Sequence, residues 1–362
     1  MNTTSAQFDK KTGVATNPHG LQDGLMSALA SLDTQAHVPD QLEVLLSLGY
    51  GQLPLPGAGA TRQRWRALSA VAEYDLSLAK MYEGHTDAVA IIAELCESEH
   101  VAWPGTWGVW ASESPGGRTT LQTTAAGNMY VSGTKLWCSG ALTANQALLT
   151  AWPAGSDVPQ LVAVRLAQAG ISVDTEHWKA VGMADSMSVK VRFDKVPCTR
   201  VGKPGAYLTR PGFWQGGAGV AACWLGGAMG IAATLQKSLQ QYPPPRGQTN
   251  TAGFKFAALG KVYLAISQTA SILNLAAEWI DNYPNSDASR VALMARLSAE
   301  QCAKIVIQEV GQSLGASPFC LDQKFARAVA DLPVFIRQSH AEKDFAALGE
   351  RAVEKKPELW AL

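Results

Sequence analysis

The spacing of apolar residues changes character twice along this chain. From about Leu21 to Cys96 it is helical. Across Arg64–Met81, the residues Trp65, Leu68, Val71, Ala72, Leu76 and Ala79 share one face. A second helix is expected from Thr86, with Val89, Ile92, Ala93 and Cys96 on its apolar side. The Pro- and Gly-rich stretch Gln52–Ala60 reads as a loop. From Trp103 to about Val201 the period drops to two. In Ser188–Val196, Val189, Val191 and Phe193 alternate with Lys190, Arg192 and Asp194, one face apolar and one wet. A hairpin is predicted from Asn128–Gly133 and Lys135–Ser139, turning at Ser132-Gly133. Ala147–Trp152, Gln160–Leu166 and Gly170–Asp174 add further short strands. From Phe213 the helical period returns, with breaks at Pro243–Pro245, at Tyr283-Pro284-Asn285-Ser286 and at Gly315. The helices so delimited end near Tyr242, cover Phe256–Ile280 and Ala288–Leu314, and resume over roughly Leu321–Gly349.

The fold class is therefore α+β, in three parts. Residues 1–102 form an N-terminal helical domain with a polar arm, 103–210 an antiparallel β-barrel or sandwich, and 211–362 an antiparallel helical bundle.

Composition narrows the function. Lys+Arg and Asp+Glu each number 30, so the formal net charge is zero, and no basic cluster offers a surface for nucleic acid. The six cysteines are scattered, with no C-x-x-C pair and no histidine at metal-ligand spacing, as in a reducing compartment. No apolar segment follows a basic start, so a cytoplasmic protein is expected. The uncharged stretch from Pro211 to Gln236 is long enough to cross a bilayer, but its Gly and Ala content suits the centre of a packed bundle better.

Three segments carry a family resemblance: Ala111-Ser112-Glu113-Ser114-Pro115-Gly116-Gly117, Tyr130–Ala141 with Lys135-Leu136-Trp137-Cys138-Ser139 at its centre, and Trp178–Pro197. They resemble the T-E-P-x-x-G-S-D, N-G-x-K-x-W-I-(T/S) and v-x-F-x-x-V-x-V-P motifs of the acyl-CoA dehydrogenase superfamily. The first match is degenerate and the other two are good.

That resemblance implies FAD, held between the β domain and the C-terminal bundle. Trp137 and Ser139 would supply an aromatic wall and a hydroxyl, Ser112 a second hydroxyl, and Trp110 the aromatic before the first motif. Arg246 would approach the pyrophosphate. Gln312 and Gly315, in Gln312–Ala316, would reach the flavin of a neighbouring subunit. A homodimer or homotetramer acting on a small molecule follows, with the uncharged Gly/Ala helix also expected to lie against a second subunit. The bland alternatives are a core tryptophan, a solvated loop arginine and a simple helix C-cap.

The resemblance breaks at the chemistry. The family's catalytic glutamate sits at one of two places, and here those hold Gln338 and Gly247, neither of which can act as a base. The charged pair that holds the CoA arm falls near Trp214 and Gly217, inside the uncharged stretch. Arg327, Asp331 and His340 are similar in order to residues of the flavin-dependent monooxygenases on the same fold. This makes His340 a candidate acid–base group, with an N-terminal helix cap as the alternative. Asp185 and Glu113 are the other carboxylates near the motifs, and a capping or interface role is expected for His85. Three readings stay open: a FAD oxidoreductase, a flavin-dependent monooxygenase, and a non-catalytic oligomeric relative.

Overall fold

The computed structural model describes residues 18–96, 101, 103–241 and 250–354. By contacts these fall into two compact units that interleave along the sequence. The first takes residues up to Leu55, Ser77–Ala180 and Ala184–Phe213; the second takes Pro56–Leu76, Val181–Met183 and everything from Trp214.

The first unit contains helices α1 (Pro18–Ser31), α2 (Val38–Ser47) and most of α4 (Leu76–Leu95), followed by seven strands. These are β1 (Trp107–Trp110), β2 (Thr119–Thr123), β3 (Met129–Cys138), β4 (Gln146–Pro153), β5 (Gln160–Arg165), β6 (Ile171–Asp174) and β7 (Val189–Val201). The pairings β4–β2–β3–β7–β5–β4 return to their start, so five strands close a barrel, with β1 added to β4 and β6 to β7. Most ladders are antiparallel, while β1–β4 and β2–β4 are parallel. Inward residues such as Val131, Leu149, Val162, Val191 and Phe193 fill the barrel. A second cluster, with Ala88 and Ile91 of α4 against Leu148, Leu161 and Val201, seats the helix on the sheet.

The hairpin predicted at Ser132-Gly133 does not form. Met129–Cys138 is one strand, and Gly133 is a bulge in its ladder with β7, at φ 118°. A Cβ there would meet the Arg118 carbonyl at 2.4 Å, so the close neighbour strand rather than a turn requires the glycine. The turn lies earlier, around Thr124–Asn128.

The second unit contains α3 (Thr61–Tyr74), α6 (Gly212–Gln241), α7 (Asn250–Asn282), α8 (Ser289–Leu314), α9 (Ala316–Leu321), α10 (Gln323–Phe335) and α11 (Glu342–Glu354); the short α5 (Ala206–Thr209) belongs to the first. The helix expected over Arg64–Met81 is divided at Asp75, whose backbone is extended (φ −157°, ψ 131°). Beyond it α4 runs through Gly84-His85-Thr86 without a new start. The helix expected over Leu321–Gly349 is likewise broken, at Ile336–Ala341.

The composition of α6 has a local cause. A Cβ at Gly226 would meet the Ser69 carbonyl at 2.1 Å, and one at Gly230 the Glu73 carbonyl at 3.0 Å, so α3 and α6 approach backbone to backbone. By length and apolarity α6 and the Gly253–Asn282 part of α7 could each cross a membrane; the apolar window of α6 is 78% buried and that of α7 28%. It is α3 that lies against the α6 glycines. The uncovered apolar face is that of α7, where Phe254, Phe256, Tyr263 and Leu264 are exposed.

Candidate functional site

The last turn of β3 departs from regular strand. Between Lys135 and Cys138 its ladder with β7 slips, and the bulge puts Trp137 at φ 62° with 60% of its surface exposed. A bulky non-glycine residue in the left-handed region costs roughly 1–3 kcal/mol. Such strain persists only where the surroundings fix it. Here Gly140 N–H donates to the Ser186 carbonyl (2.9 Å), and Trp110 Nε1 donates to the Ser139 carbonyl (3.1 Å).

Behind the exposed indole runs a chain of hydroxyls. Ser139 Oγ lies 2.8 Å from Ser188 Oγ, which lies 3.0 Å from Ser186 Oγ. Ser186 and Ser188 are absent from the residues picked out for cofactor contact; their signal was the two serines at alternate positions just before β7.

Trp110 is 1% exposed and packs toward Phe193, with ring centroids 6.5 Å apart. It is a core residue that braces the Ser139 turn from behind. Ser112 is exposed, two residues beyond β1, its Oγ 3.3 Å from that of Ser114.

Beneath this loop lies Lys135, with no exposed surface. Its Nζ donates to the Ser112 carbonyl (3.2 Å), Glu113 Oε1 (2.7 Å) and Thr150 Oγ1 (2.7 Å), which uses all three protons. Glu113 also accepts from the Thr150 hydroxyl and from Trp152 Nε1. Burial pushes the Glu113 carboxyl up, but these bonds and the Lys135 charge outweigh it and hold it below the usual range. Glu113 is thus a fixed counter-ion and a poor base.

An isoalloxazine needs an aromatic or apolar wall and hydrogen-bond donors in one place. Trp137 and Ser139 lie on one turn, and the Ser112 carbonyl is bonded to Lys135 of the strand that leads into it.

On the same side of the first unit His85 is buried. Trp107 N–H donates to its Nδ1 (3.3 Å), so that nitrogen carries no proton and the imidazole is neutral. Burial pushes its pKa down to about 4, against a smaller opposing effect of Gly51. It is a satisfied buried group and offers no proton near neutral pH.

The candidate chemistry in the second unit is arranged differently. His340 stands at the first turn of α11 with its side chain 72% exposed. Its N–H donates to Asp344 Oδ2 (3.1 Å) and its Nδ1 lies 3.3 Å from Asp344 Oδ1, the geometry of an N-terminal cap. Gln338 is exposed, and its carbonyl accepts from Arg296 Nη2 (2.7 Å). Arg296 Nη1 also donates to the Gly217 carbonyl at the start of α6 (3.0 Å).

A carboxylate does stand beside the 336–339 turn. Glu300, from α8 and 1% exposed, lies 3.2 Å from Arg337 and 2.6 Å from Lys304. Burial raises its pKa, yet the two cations outweigh this and keep it low. It clamps the turn through Oε1.

Asp331, 2% exposed, accepts from Met183 N–H and pairs with Arg327, which also reaches Asp75. Desolvation moves its pKa up to about 6. Next to it a Cβ on Gly182 would meet the Ala330 carbonyl at 1.9 Å, so the 181–183 segment is seated on α10.

Gln312 is exposed in the last turn of α8, and Gly315 caps that helix at φ 66° with its N–H on the Gly311 carbonyl. Arg246 and Gly247 lie outside the described residues. Among the described residues no group of three His, Cys, Asp or Glu is placed to hold a metal.

No family model and no curated protein sequence matches this chain. Solved structures do. The dibenzothiophene monooxygenase TdsC from Paenibacillus sp. A11-2, in its FMN-bound form, superposes with a TM-score of 0.78 at 16% identity, over 94% of this chain and 97% of that one. KijD3, solved with FMN and a dTDP-linked amino-keto sugar, gives 0.78 at 17% identity over 100% of both chains. Butyryl-CoA dehydrogenase from Megasphaera elsdenii gives 0.78 at 16% identity, over 94% of this chain and 100% of that one. At these identities the likeness is one of fold, and it agrees with the motifs: this chain has the acyl-CoA dehydrogenase fold.

Proposed function

We propose that this protein is a flavin-dependent oxidoreductase that binds FAD through Ser112, Trp137 and Ser139. The observation that carries this reading is the strained, exposed Trp137 beside the linked hydroxyls of Ser139 and Ser188. A bound flavin supplies a two-electron acceptor and donor for a small-molecule substrate. Trp137 offers the flat apolar wall, Ser112 and Ser139 offer donors, and Trp110 and Lys135 keep these groups in place. Arg246, and Gln312 with Gly315 from a second subunit, complete the proposed cofactor site. The exposed apolar residues of α7 support a homodimer or homotetramer; a soluble, cytoplasmic protein with neither nucleic acid nor a membrane as partner is part of the same proposal. TdsC and KijD3 were solved with FMN, so both nucleotides belong in the test.

A second reading, an oxygen-using monooxygenase on the same scaffold, draws on the 338 turn. That turn carries glutamine, its nearby Glu300 is clamped by two cations, and the exposed titratable group is His340. Titrating purified protein with FAD and FMN, by absorbance and fluorescence, tests the common claim. Mixing anaerobically reduced holoprotein with oxygenated buffer, in wild type and His340→Ala, tests the second: a transient that depends on His340 supports it, and its absence sinks it.

A further inference from the structure

We infer that Lys135 is a positioning residue for the cofactor, acting through the Ser112 carbonyl rather than through its ion pair with Glu113; this rests on the flavin reading above.

Lys135 sits on β3 two residues before Trp137, so its side chain and the indole leave the strand from the same bulged segment. The indole goes to solvent and the ammonium goes inward, where it has no exposed surface. A buried ammonium is costly unless every proton is bonded, and here every one is. Two of the three bonds have other means of support. Glu113 is also held by Thr150 and Trp152, and Thr150 by Glu113. Two bonds tie the exposed 111–114 loop to Lys135 on β3, the strand that carries Trp137 and leads into Ser139: Glu113 has the further support of Thr150 and Trp152, whereas the Ser112 carbonyl accepts from Lys135 alone among the described residues. One side chain therefore sets the distance between the two halves of the proposed site.

Removing the ion pair and removing the carbonyl contact then have separable effects. Glu113→Gln leaves Lys135 able to hold Ser112, whereas Lys135→Met keeps the volume and loses every donor. Both variants should lower the melting temperature. FAD affinity should fall at least about tenfold in Lys135→Met and less than about threefold in Glu113→Gln, the difference expected for one lost bond to a charged donor. The visible band of the bound flavin should shift only in Lys135→Met. Equal affinity in wild type and Lys135→Met overturns the inference, and so does an equal loss in both variants. If Lys135→Met does not fold, Lys135→Gln takes its place. With two donors and no charge it should bind FAD more weakly than Glu113→Gln, and equality would again overturn the inference. Wild-type protein titrated alongside separates the two claims, because a folded wild type that takes up no flavin refutes the function and not the role of Lys135.

Discussion

Two turns are singled out by the family resemblance, one where its motif is kept and one where its glutamate is missing, and they are built differently. The 137–140 turn of the barrel holds an exposed tryptophan in the left-handed region and links its hydroxyls to Ser188 and Ser186. The 336–341 turn also has a positive φ, at Ala341 (46°), but it is held by a cap and ion pairs: His340 bonds Asp344, and Glu300 clamps Arg337. An exposed aromatic side chain held in a strained backbone beside linked hydroxyls suits a ligand, while caps and ion pairs suit stability. The barrel turn is therefore the place where the cofactor is proposed to bind. The helical turn lacks the base that acyl-CoA dehydrogenation needs.

The largest effect expected from this contrast is a missing activity. Positioned bases contribute about 10²–10⁴-fold, so acyl-CoAs mixed anaerobically with the holoprotein should leave the flavin band unbleached on the timescale of a true dehydrogenase. Rapid bleaching by any of them would erase the distinction between the two turns.

Next in size is a backbone contact. Gly182→Ala would drive a Cβ into the Ala330 carbonyl at 1.9 Å, and the 181–183 segment must lift from α10. A loss of about 3 kcal/mol in chemical denaturation is expected, the upper end for a single substitution.

Buried titratable groups give the two units opposite pH dependence. The folded pKa of His85 is depressed, to about 4. Its contribution is complete above the unfolded value near 6.5 and is lost as pH falls through 4, by about 3 kcal/mol at most. The folded pKa of Asp331 is raised, to about 6. Its contribution is complete below the unfolded value near 4 and is lost as pH rises through 6, by about 3 kcal/mol at most. Denaturation of His85→Gln and Asp331→Asn across pH 4–7 should flatten the slope in opposite senses. The same sign in both would contradict the assignments.

The smallest effect is the most specific to the strain. Trp137→Gly relieves a positive φ, so the apoprotein should be stabilised by about 1 kcal/mol while flavin binding weakens. Loss of both stability and binding would make Trp137 a core residue.

The helices were legible because their apolar faces follow one period, and β7 because Val189, Val191 and Phe193 alternate cleanly with charges. Gly133 misled because a turn and a bulge ask the same conformational freedom of a glycine; what decides between them is the Arg118 carbonyl, 15 residues away. The break at Asp75 was hidden because the apolar stripe continues in α4, while the aspartate is held by Arg327 from α10. Ser112, Trp137 and Ser139 were proposed for the cofactor from their match to the family motifs. Ser188 and Lys135 could not be given roles that way, since both act through partners far along the chain. Glu300 was missed for the same reason: it reaches the 336–339 turn from α8.

The account stands most directly on the affinity of Trp137→Ala for flavin. Folded wild-type protein should be yellow or take up FAD or FMN at micromolar concentration. Trp137→Ala should unfold at nearly the same temperature and bind at least about tenfold more weakly, a loss of about 1.4 kcal/mol. Folded wild-type protein that takes up neither nucleotide, or a Trp137→Ala variant that binds as tightly as wild type, would contradict it.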